Sequence, residues 1–251
     1  MTTLSKRSIP SLAALLALLL PMTGLPFELR PMTQTFEPAG SGVSGTFEVH
    51  NDLDEEVAVT VTLKARAIDA EGVETLTDTK DFTVFPTEMM LKGKSFQVVR
   101  VQWQGKPSLP SERPYRIIAE EVQLKSSKTQ PSGPSKGGIK LILRYGGTIY
   151  VAPPKAKADV VVAAAKKIDK PEGSLLALDL ENRGSRHAII DRPSLSVKVG
   201  KTTSQIPASE LDKALGGMNI LAGSKRRILL PWPKGLPAGS ITAKLDASFL
   251  R

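Results

Sequence analysis

The sequence predicts an all-β protein with two immunoglobulin-like β-sandwich domains in tandem, preceded by a signal peptide. Short segments in which apolar and polar residues alternate recur from Phe27 to the end of the chain, and turn-forming pairs such as Asn51-Asp52 separate them. A proline-rich connector, Ala152-Pro153-Pro154-Lys155, divides these segments into two sets, each about as long as one immunoglobulin-like domain. We therefore expect a signal peptide at residues 1–24, an N-terminal domain at residues 25–152 and a C-terminal domain at residues 153–251.

The first residues have the pattern of an export signal. Lys6 and Arg7 precede an unbroken apolar run, Leu12–Leu20, which Pro21 ends. A run of this length is too short to span a bilayer, which needs about 20 apolar residues, but it fits a secretory signal peptide. The alternative is a helix buried in the protein core. The charged start favours export, and we expect no stable membrane insertion of the mature chain.

Strand positions follow from the two-residue periodicity. Val57, Val59, Val61 and Leu63 share one face of a strand that reaches Lys64, while the residues between them face the other way. Further strands are predicted at Thr46–His50, Phe82–Phe85, Phe96–Trp103, Tyr115–Leu124, Asp159–Ala164, Ser174–Asn182, Ser194–Val199, Arg226–Pro231 and Ile241–Phe249. Only Ser209–Leu215 indicates a helix, with Ser209 as its N-cap and Gly216-Gly217 at its end.

The composition argues against several classes of function. The chain has no cysteine, which excludes disulfides, thiolate metal sites and thiol nucleophiles. The formal net charge of +9 suits an anionic partner, but the basic residues are dispersed along the chain. Aromatic residues make up only 5%, too few to suggest a surface on which bases stack. We therefore expect no nucleic-acid partner.

Motifs for catalysis or metal binding are not recognisable in the sequence. His50 and His187 fall in different predicted domains, and neither stands in a metal-ligand or nucleophile–base pattern. The G-x-S-x-G motif and the phosphate-binding and dinucleotide-binding fingerprints are absent. We expect a binding protein that is not an enzyme and has no cofactor or metal; an exported hydrolase is the enzymatic alternative.

One segment departs from the regular spacing of strands and turns. Residues 125–138 form a polar stretch of Ser, Pro, Gly and Lys that is longer than most loops of β-sandwiches. Directly after it, Ile139, Leu141 and Leu143 alternate with other residues up to Tyr145. The alternation places the three apolar side chains on one face of a strand.

Several short stretches occur in an order and at a spacing that carry a family resemblance. In the first half they are Phe27–Pro31, Phe47–Asn51, Phe85-Pro86, Leu91–Gly93, Gln97–Val101, Glu112 and Tyr115–Ile117. In the second half they are Leu178–Gly184, His187-Ala188, Ile220–Ser224 and Arg226-Arg227. Together with the predicted signal peptide, they make the chain resemble the periplasmic pilus-assembly chaperones of the chaperone–usher pathway.

The resemblance implies a specific role for the strand after the polar loop. Chaperones of this family lend that strand to a pilus subunit whose own sandwich lacks one strand, which is called donor-strand complementation. Large apolar side chains at every second position then fill the open groove of the subunit. Ile139, Leu141 and Leu143 are the residues that match this role. In the alternative, the three side chains face the core of the chain itself, and alternation alone does not decide between the two.

The resemblance also implies basic residues that bind the C-terminal carboxylate of the subunit between the two domains. The lysine that the family usually carries before the junction proline corresponds to Thr148 here, and the arginine that often precedes that proline is replaced by Ala152. The candidate carboxylate anchors in this sequence are therefore Arg144, Arg30 and Lys140.

We accordingly expect a periplasmic chaperone that binds and stabilises pilus or fimbrial subunits and delivers them to an outer-membrane usher. An exported immunoglobulin-like adhesin or surface-structure component is the alternative. The polar loop followed by an apolar alternating strand favours the chaperone, because an adhesin has no need of a spare donor strand.

Overall fold

The computed structural model describes residues 27–122 and 142–250. The predicted signal peptide, the polar loop at residues 125–138, Ile139, Lys140 and Leu141 lie outside the described residues. The regular secondary structure of the described residues is almost all β-strand and forms two β-sandwiches, which confirms the predicted fold class. None of the helices in these two ranges is long and apolar enough to cross a membrane.

The first sandwich contains the strands that precede residue 152. They are β1 (Phe27–Arg30), β2 (Thr33–Phe36), β3 (Ser44–Asn51), β4 (Val57–Ile68), β5 (Glu74–Asp78), β6 (Phe82–Phe85), β7 (Glu88–Leu91), β8 (Ser95–Trp103), β9 (Arg113–Val122) and β10 (Arg144–Val151). One sheet has the order β1-β3-β8-β6, and the other has the order β2-β10-β9-β4-β5, with β7 also paired to β4. Of the predicted strand Ile139–Tyr145, only Arg144 and Tyr145 lie in β10, which runs on to Val151, whereas Ile142 and Leu143 precede it.

Strands β1 and β2 connect the two sheets of this sandwich. β1 pairs with β3 in the first sheet, whereas β2 lies parallel to β10 in the second, with Thr33 opposite Thr148. The alternating apolar residues of both sheets point inward, so Val49, Val61 and Val101 are all buried in one core. This arrangement places β10 between β9 and the short β2.

The second sandwich contains the remaining strands. They are β11 (Val160–Lys170), β12 (Gly173–Asn182), β13 (Ala188–Val199), β14 (Thr202–Ile206), β15 (Asn219–Ile220), β16 (Lys225–Pro231) and β17 (Ile241–Leu250), with helix α1 at Ala208–Leu215. One sheet has the order β11-β12-β16, and in the other β13 pairs with β14, β15 and β17. Leu211 and Leu215 anchor α1 to the core of this sandwich.

The predicted N-cap of the helix is wrong. The helix begins at Ala208, and Pro207 is its N-cap, without a side-chain hydrogen bond. The Pro207 carbonyl oxygen accepts hydrogen bonds from the backbone N–H groups of Glu210 and Leu211, at 3.0 and 3.2 Å. The first turn closes on this carbonyl, so Ser209 lies inside the helix rather than at its cap.

Each sandwich has its own hydrophobic core. The first core draws on residues 27–151 and the second on residues 176–236. The predicted domain boundary between Ala152 and Pro153 falls between these two sets of residues, and the predicted domain limits themselves stay a prediction.

A fully buried asparagine ends one strand in each sandwich. The Asn51 side-chain Nδ2 donates to the carbonyl oxygens of Glu55, Leu91 and Lys92 at 2.7, 3.1 and 3.1 Å. Asn182 Nδ2 donates to the carbonyl oxygens of Arg186 and Ile220 at 2.7 and 3.0 Å. These amides satisfy loop carbonyls that would otherwise be buried without a partner. The two asparagines that marked turns in the sequence therefore also hold neighbouring loops together through hydrogen bonds.

Candidate functional site: the edge of β10 and the cleft between the sandwiches

Strand β10 is only partly covered on one side. It pairs with β9 along its whole length, from Arg144 to Val151, but β2 covers it only from Thr148 to Val151. On the side away from β9, no strand of the described ranges pairs with residues 144–147. An edge of this kind offers backbone donors and acceptors to another strand.

The side chains at the start of β10 divide between the two faces of the sheet. Leu143 and Tyr145 are half-buried and pack against the core of the first sandwich. The Tyr145 ring meets the Phe27 ring edge-on, with centroids 5.2 Å apart. Ile142, one residue before Leu143, is 54% exposed. At Leu143, the predicted donor residue that the structure describes, the side chain thus points toward the core of the chain itself.

The two described candidate anchors lie at the surface of the first sandwich. The Arg144 side chain is 57% exposed, with its Nε 3.4 Å from Glu120 Oε2. The Arg30 side chain is 54% exposed, and its Nη2 donates to Glu28 Oε2 at 2.5 Å. Neither residue lines the cleft between the two sandwiches. Lys140, the third candidate, lies outside the described residues.

The cleft between the sandwiches contains basic groups that the sequence analysis did not select. It encloses about 510 Å³, and its lining includes Arg66, Glu74 and Arg116 from the first sandwich and Asn219 and Arg226 from the second. Both sandwiches therefore contribute charged or polar side chains to one cavity.

Arg66 and Arg116 converge on one carboxylate oxygen. Glu74 Oε1 accepts from Arg66 Nε at 2.5 Å and from Arg116 Nη2 and Nε at 2.8 and 3.1 Å. The Arg66 side chain is 8% exposed and the Arg116 side chain 23% exposed, so the pairs are largely shielded from water. Burial by itself would raise the pKa of Glu74, but the hydrogen bonds from Arg116 and Arg66 outweigh it and lower that pKa below its usual value.

The arginine pair is connected to the end of β10. Arg116 Nη1 donates to Thr148 Oγ1 at 2.6 Å. Arg66 Nη1 lies 3.4 Å from the Tyr150 hydroxyl, which also accepts from Asn219 Nδ2 at 2.6 Å. The two arginines, which belong to β4 and β9, therefore lie beside the part of β10 that follows the uncovered edge.

Two buried polar atoms in this cleft have no hydrogen-bond partner within the described ranges. They are Arg226 Nε and Asn219 Oδ1. Buried polar atoms are nearly always hydrogen-bonded, so these two atoms have capacity to bond to water or to another polar group. One donor and one acceptor are available.

Glu112, His187 and Tyr150 form a second contact between the sandwiches. Glu112 Oε1 accepts from the backbone N–H of His187 at 3.1 Å and lies 2.7 Å from His187 Nδ1. The Tyr150 ring stacks on the His187 ring, with centroids 3.8 Å apart and planes at 8°. Glu112 and His187 are both almost completely buried, so this junction is shielded from bulk solvent. In the two described ranges, no group of three or more His, Cys, Asp or Glu side chains is arranged to hold a metal ion.

The arginine pair was missed because its residues are far apart in the sequence. Arg66 lies near the end of β4 and Arg116 in β9, and only the register of these strands, with Lys64 opposite Arg116, brings them together. The available signal was an arginine between two apolar residues, Tyr115 and Ile117. That pattern indicates that the arginine side chain points away from the core, but it does not reveal which residues the side chain contacts.

Solved structures with this architecture are found by comparison. The chain matches the class 5 fimbriae chaperone CfaA with a TM-score of 0.54 and 13% identity, over 89% of this chain and 100% of that one. It matches the E. coli chaperone DraB with a TM-score of 0.52 and 16% identity, over 90% and 96% of the two chains. The chain has the fold of fimbrial chaperones. A pre-assembly complex of the chaperone CsuC with the tip subunit CsuE, from the archaic chaperone–usher Csu pili of Acinetobacter baumannii, also matches, with a TM-score of 0.51 and 13% identity over 80% and 88%.

Comparison of the sequence alone finds no match among family models or curated proteins. The fimbrial-chaperone fold is therefore retained here at identities of 13% to 16%.

Proposed function

We propose that this chain is a non-enzymatic periplasmic chaperone that binds pilus subunits by donor-strand complementation and delivers them to an outer-membrane usher. The observation that carries the proposal is the uncovered edge of β10 at residues 144–147, in a chain with the fimbrial-chaperone fold. Export through the predicted signal peptide at residues 1–24 is part of the same proposal.

The uncovered edge supplies the backbone part of the interaction. A subunit strand that pairs with residues 144–147 would extend the sheet β2-β10-β9-β4-β5. Such strand addition obtains its affinity from main-chain hydrogen bonds and its specificity from pockets for alternate side chains. The short β2 leaves this edge free while it protects the rest of β10.

The apolar residues before β10 supply the side-chain part. In an extended strand, Ile139, Leu141 and Leu143 lie on one face about 6 to 7 Å apart. We propose that β10 extends back to Ile139 when a subunit is bound. Because Leu143 packs against the first core, the donor face would then join the groove of the subunit to that core. The same face of the strand can thus pack against the first core and fill the groove of the subunit.

The cleft supplies the basic groups that bind the end of the subunit strand. We propose that Arg116, together with Arg66, binds the C-terminal carboxylate of the subunit. Guanidinium groups suit this task because they form bidentate, charge-assisted hydrogen bonds with carboxylates. Their contacts with Thr148 and Tyr150 place them beyond the C-terminal end of the uncovered edge. Arg144, Arg30 and Lys140 stay predictions.

The experiment that tests the donor strand is capture of pilus subunits by variants of the tagged protein. We expect Leu141→Glu to abolish co-purification, because an apolar pocket rejects a carboxylate at a cost of several kcal/mol. Ile142→Glu is the matched control, since it adds the same charge one residue later, on the opposite face of the extended strand.

The two variants should differ in subunit binding although both are folded. Ile142→Glu should retain subunits at a level within threefold of the unmodified protein, and circular dichroism should show that both variants are folded. Equal loss in both variants would contradict the assignment of the donor face. Failure of the unmodified protein to retain any subunit would contradict the chaperone function itself.

A further inference from the structure

The carboxylate site proposed above is already occupied by a carboxylate of the chain itself. Glu74 Oε1 accepts the hydrogen bonds of both cleft arginines, as a ligand carboxylate would. We propose that Glu74 is an internal competitor for this site, which restricts the cleft to carboxylates that arrive on a strand bound to β10. This inference rests on the proposed function and adds to it which carboxylates the cleft arginines accept.

The hairpin β4–β5 holds Glu74 in this position. The tip of the hairpin reaches the second sandwich, where the Ala70 carbonyl oxygen accepts from the backbone N–H of Arg227 at 2.7 Å. Glu71 Oε1 lies 3.6 Å from Arg227 Nη1. Gly72 has a φ of +94° and lies against the Arg226 guanidinium, so a side chain at this position would collide with it. A tip fixed at both sandwiches keeps Glu74 directed at the arginines.

Competition from Glu74 distinguishes free anions from a carboxylate on a bound strand, because the two differ in effective concentration at the arginines. A carboxylate on the same hairpin faces the arginines at a local concentration that a freely diffusing anion reaches only at high bulk concentration. A subunit strand paired with residues 144–147 also presents its carboxylate intramolecularly, so it competes on equal terms. Small anions are excluded, and a carboxylate at the end of a correctly paired strand is admitted.

Displacement of Glu74 has a favourable geometry. Its side chain is 32% exposed, so once released it can be solvated without leaving its strand. The arginines exchange one carboxylate for another, and no buried charge is left unpaired, which is the costly outcome in such sites. The unpartnered Arg226 Nε and Asn219 Oδ1 supply one further donor and one further acceptor for the incoming group.

The test is the binding of acetate to purified protein, measured by isothermal titration calorimetry. Acetate is a carboxylate without a strand, so Glu74 should exclude it from the wild-type cleft. We expect Glu74→Gln to bind acetate at least tenfold more tightly than the wild-type protein, because the competing charge is removed while the arginines remain. Acetamide should bind neither protein.

Asp78→Asn is the matched control. It removes one carboxylate from the same strand, but the Asp78 side chain is 92% exposed and pairs with Lys64, not with the cleft arginines. Its acetate affinity should equal that of the wild-type protein. Equal acetate affinities for all three proteins would overturn the inference, as would the same gain in Asp78→Asn as in Glu74→Gln.

A second measurement needs no variant and covers the case in which Glu74→Gln does not fold. The wild-type protein is titrated with an alternating valine–threonine nonapeptide, with either a free carboxylate or an amide at its C-terminus, and the Glu74 side-chain carboxyl is followed by ¹³C NMR. The free acid should shift the resonance and return the Glu74 pKa toward 4.5, its ordinary value, whereas the amide should not. An identical response to both peptides would refute competition.

Failure of this inference and failure of the proposed function have different signatures. If subunits are captured but acetate binds no better to Glu74→Gln, the chaperone role stands and Glu74 is a structural ion-pair partner. If acetate binding increases but no subunit is captured, the cleft is a carboxylate site in a protein of another function.

Discussion

Single residues in the first sandwich differ in function according to what their side chains contact. Arg144 and Arg116 lie on adjacent strands of one sheet, yet Arg144 faces solvent beside Glu120, whereas Arg116 is shielded and contacts Glu74 and Thr148. A charged group held by hydrogen bonds away from water interacts more strongly with a ligand carboxylate than an exposed one does. Arg116 is therefore the stronger candidate for the anchor.

This difference gives a prediction at the residue scale. Arg116→Gln should weaken subunit binding at least tenfold, because a hydrogen bond between charged groups contributes about 1.5 to 3 kcal/mol. Arg144→Gln should change it less than threefold. Surface plasmon resonance with an immobilised subunit measures both. The opposite order of effects would return the anchor to Arg144 and contradict the assignment of the cleft arginines.

At the scale of elements, β10 depends on two adjacent glycines that have different surroundings. Gly147 is buried, and a Cβ at this position would lie 2.9 Å from Ile117 Cγ2 and 3.1 Å from a Leu29 methyl group. A Cβ at Gly146 would meet nothing within 4 Å. The close packing at Gly147 brings β10 against β1 and β9, which positions the uncovered edge.

The two glycines form a matched pair of variants. Gly147→Ala should lower the free energy of unfolding by about 1 to 3 kcal/mol, as expected when a methyl group is forced into a packed core. Gly146→Ala should change it by less than about 0.5 kcal/mol, as surface substitutions usually do. Urea denaturation followed by circular dichroism measures both values. Equal effects would show that β10 does not pack against Leu29 and Ile117 in this way.

At the scale of the whole molecule, the junction of Glu112, His187 and Tyr150 joins the two sandwiches. Glu112 comes from the first sandwich and His187 from the second, and both are buried. Removal of one partner of a buried hydrogen bond leaves the other without compensation, which costs about 1 to 3 kcal/mol. The junction therefore contributes to the coupling of the two sandwiches, although each has a core of its own.

Loss of this junction should separate the unfolding of the two sandwiches. We expect Glu112→Ala to split the calorimetric transition into two and to increase the radius of gyration in small-angle X-ray scattering, with both sandwiches still folded. Glu181→Ala is the control, because the partners of Glu181 among residues 27–122 and 142–250, Arg183 and Lys225, belong to the second sandwich. One unchanged transition for Glu112→Ala would show that other contacts hold the domains together.

The elements that were predicted correctly are those whose signal is local. The alternation at Val57, Val59 and Val61 indicated β4, and its start at Val57 agrees with the structure. The end of β4 at Ile68 was missed because the alternation fades there, while pairing with β5 continues the strand. The helix was predicted within one residue of its start, but its cap depended on the Pro207 carbonyl, which a side-chain preference does not reveal.

The candidate site likewise has features with a local sequence signal and features without one. The sequence alone indicated the all-β class, two sandwiches and an apolar strand after a polar loop, because hydrophobic alternation and turn residues act over a few positions. The cleft was decided only by the tertiary structure. Arg66, Glu74 and Arg116 meet through strand register, and Glu112 meets His187 across two domains. Such contacts depend on how strands pair and sandwiches dock, and pairing partners distant in sequence leave no local pattern.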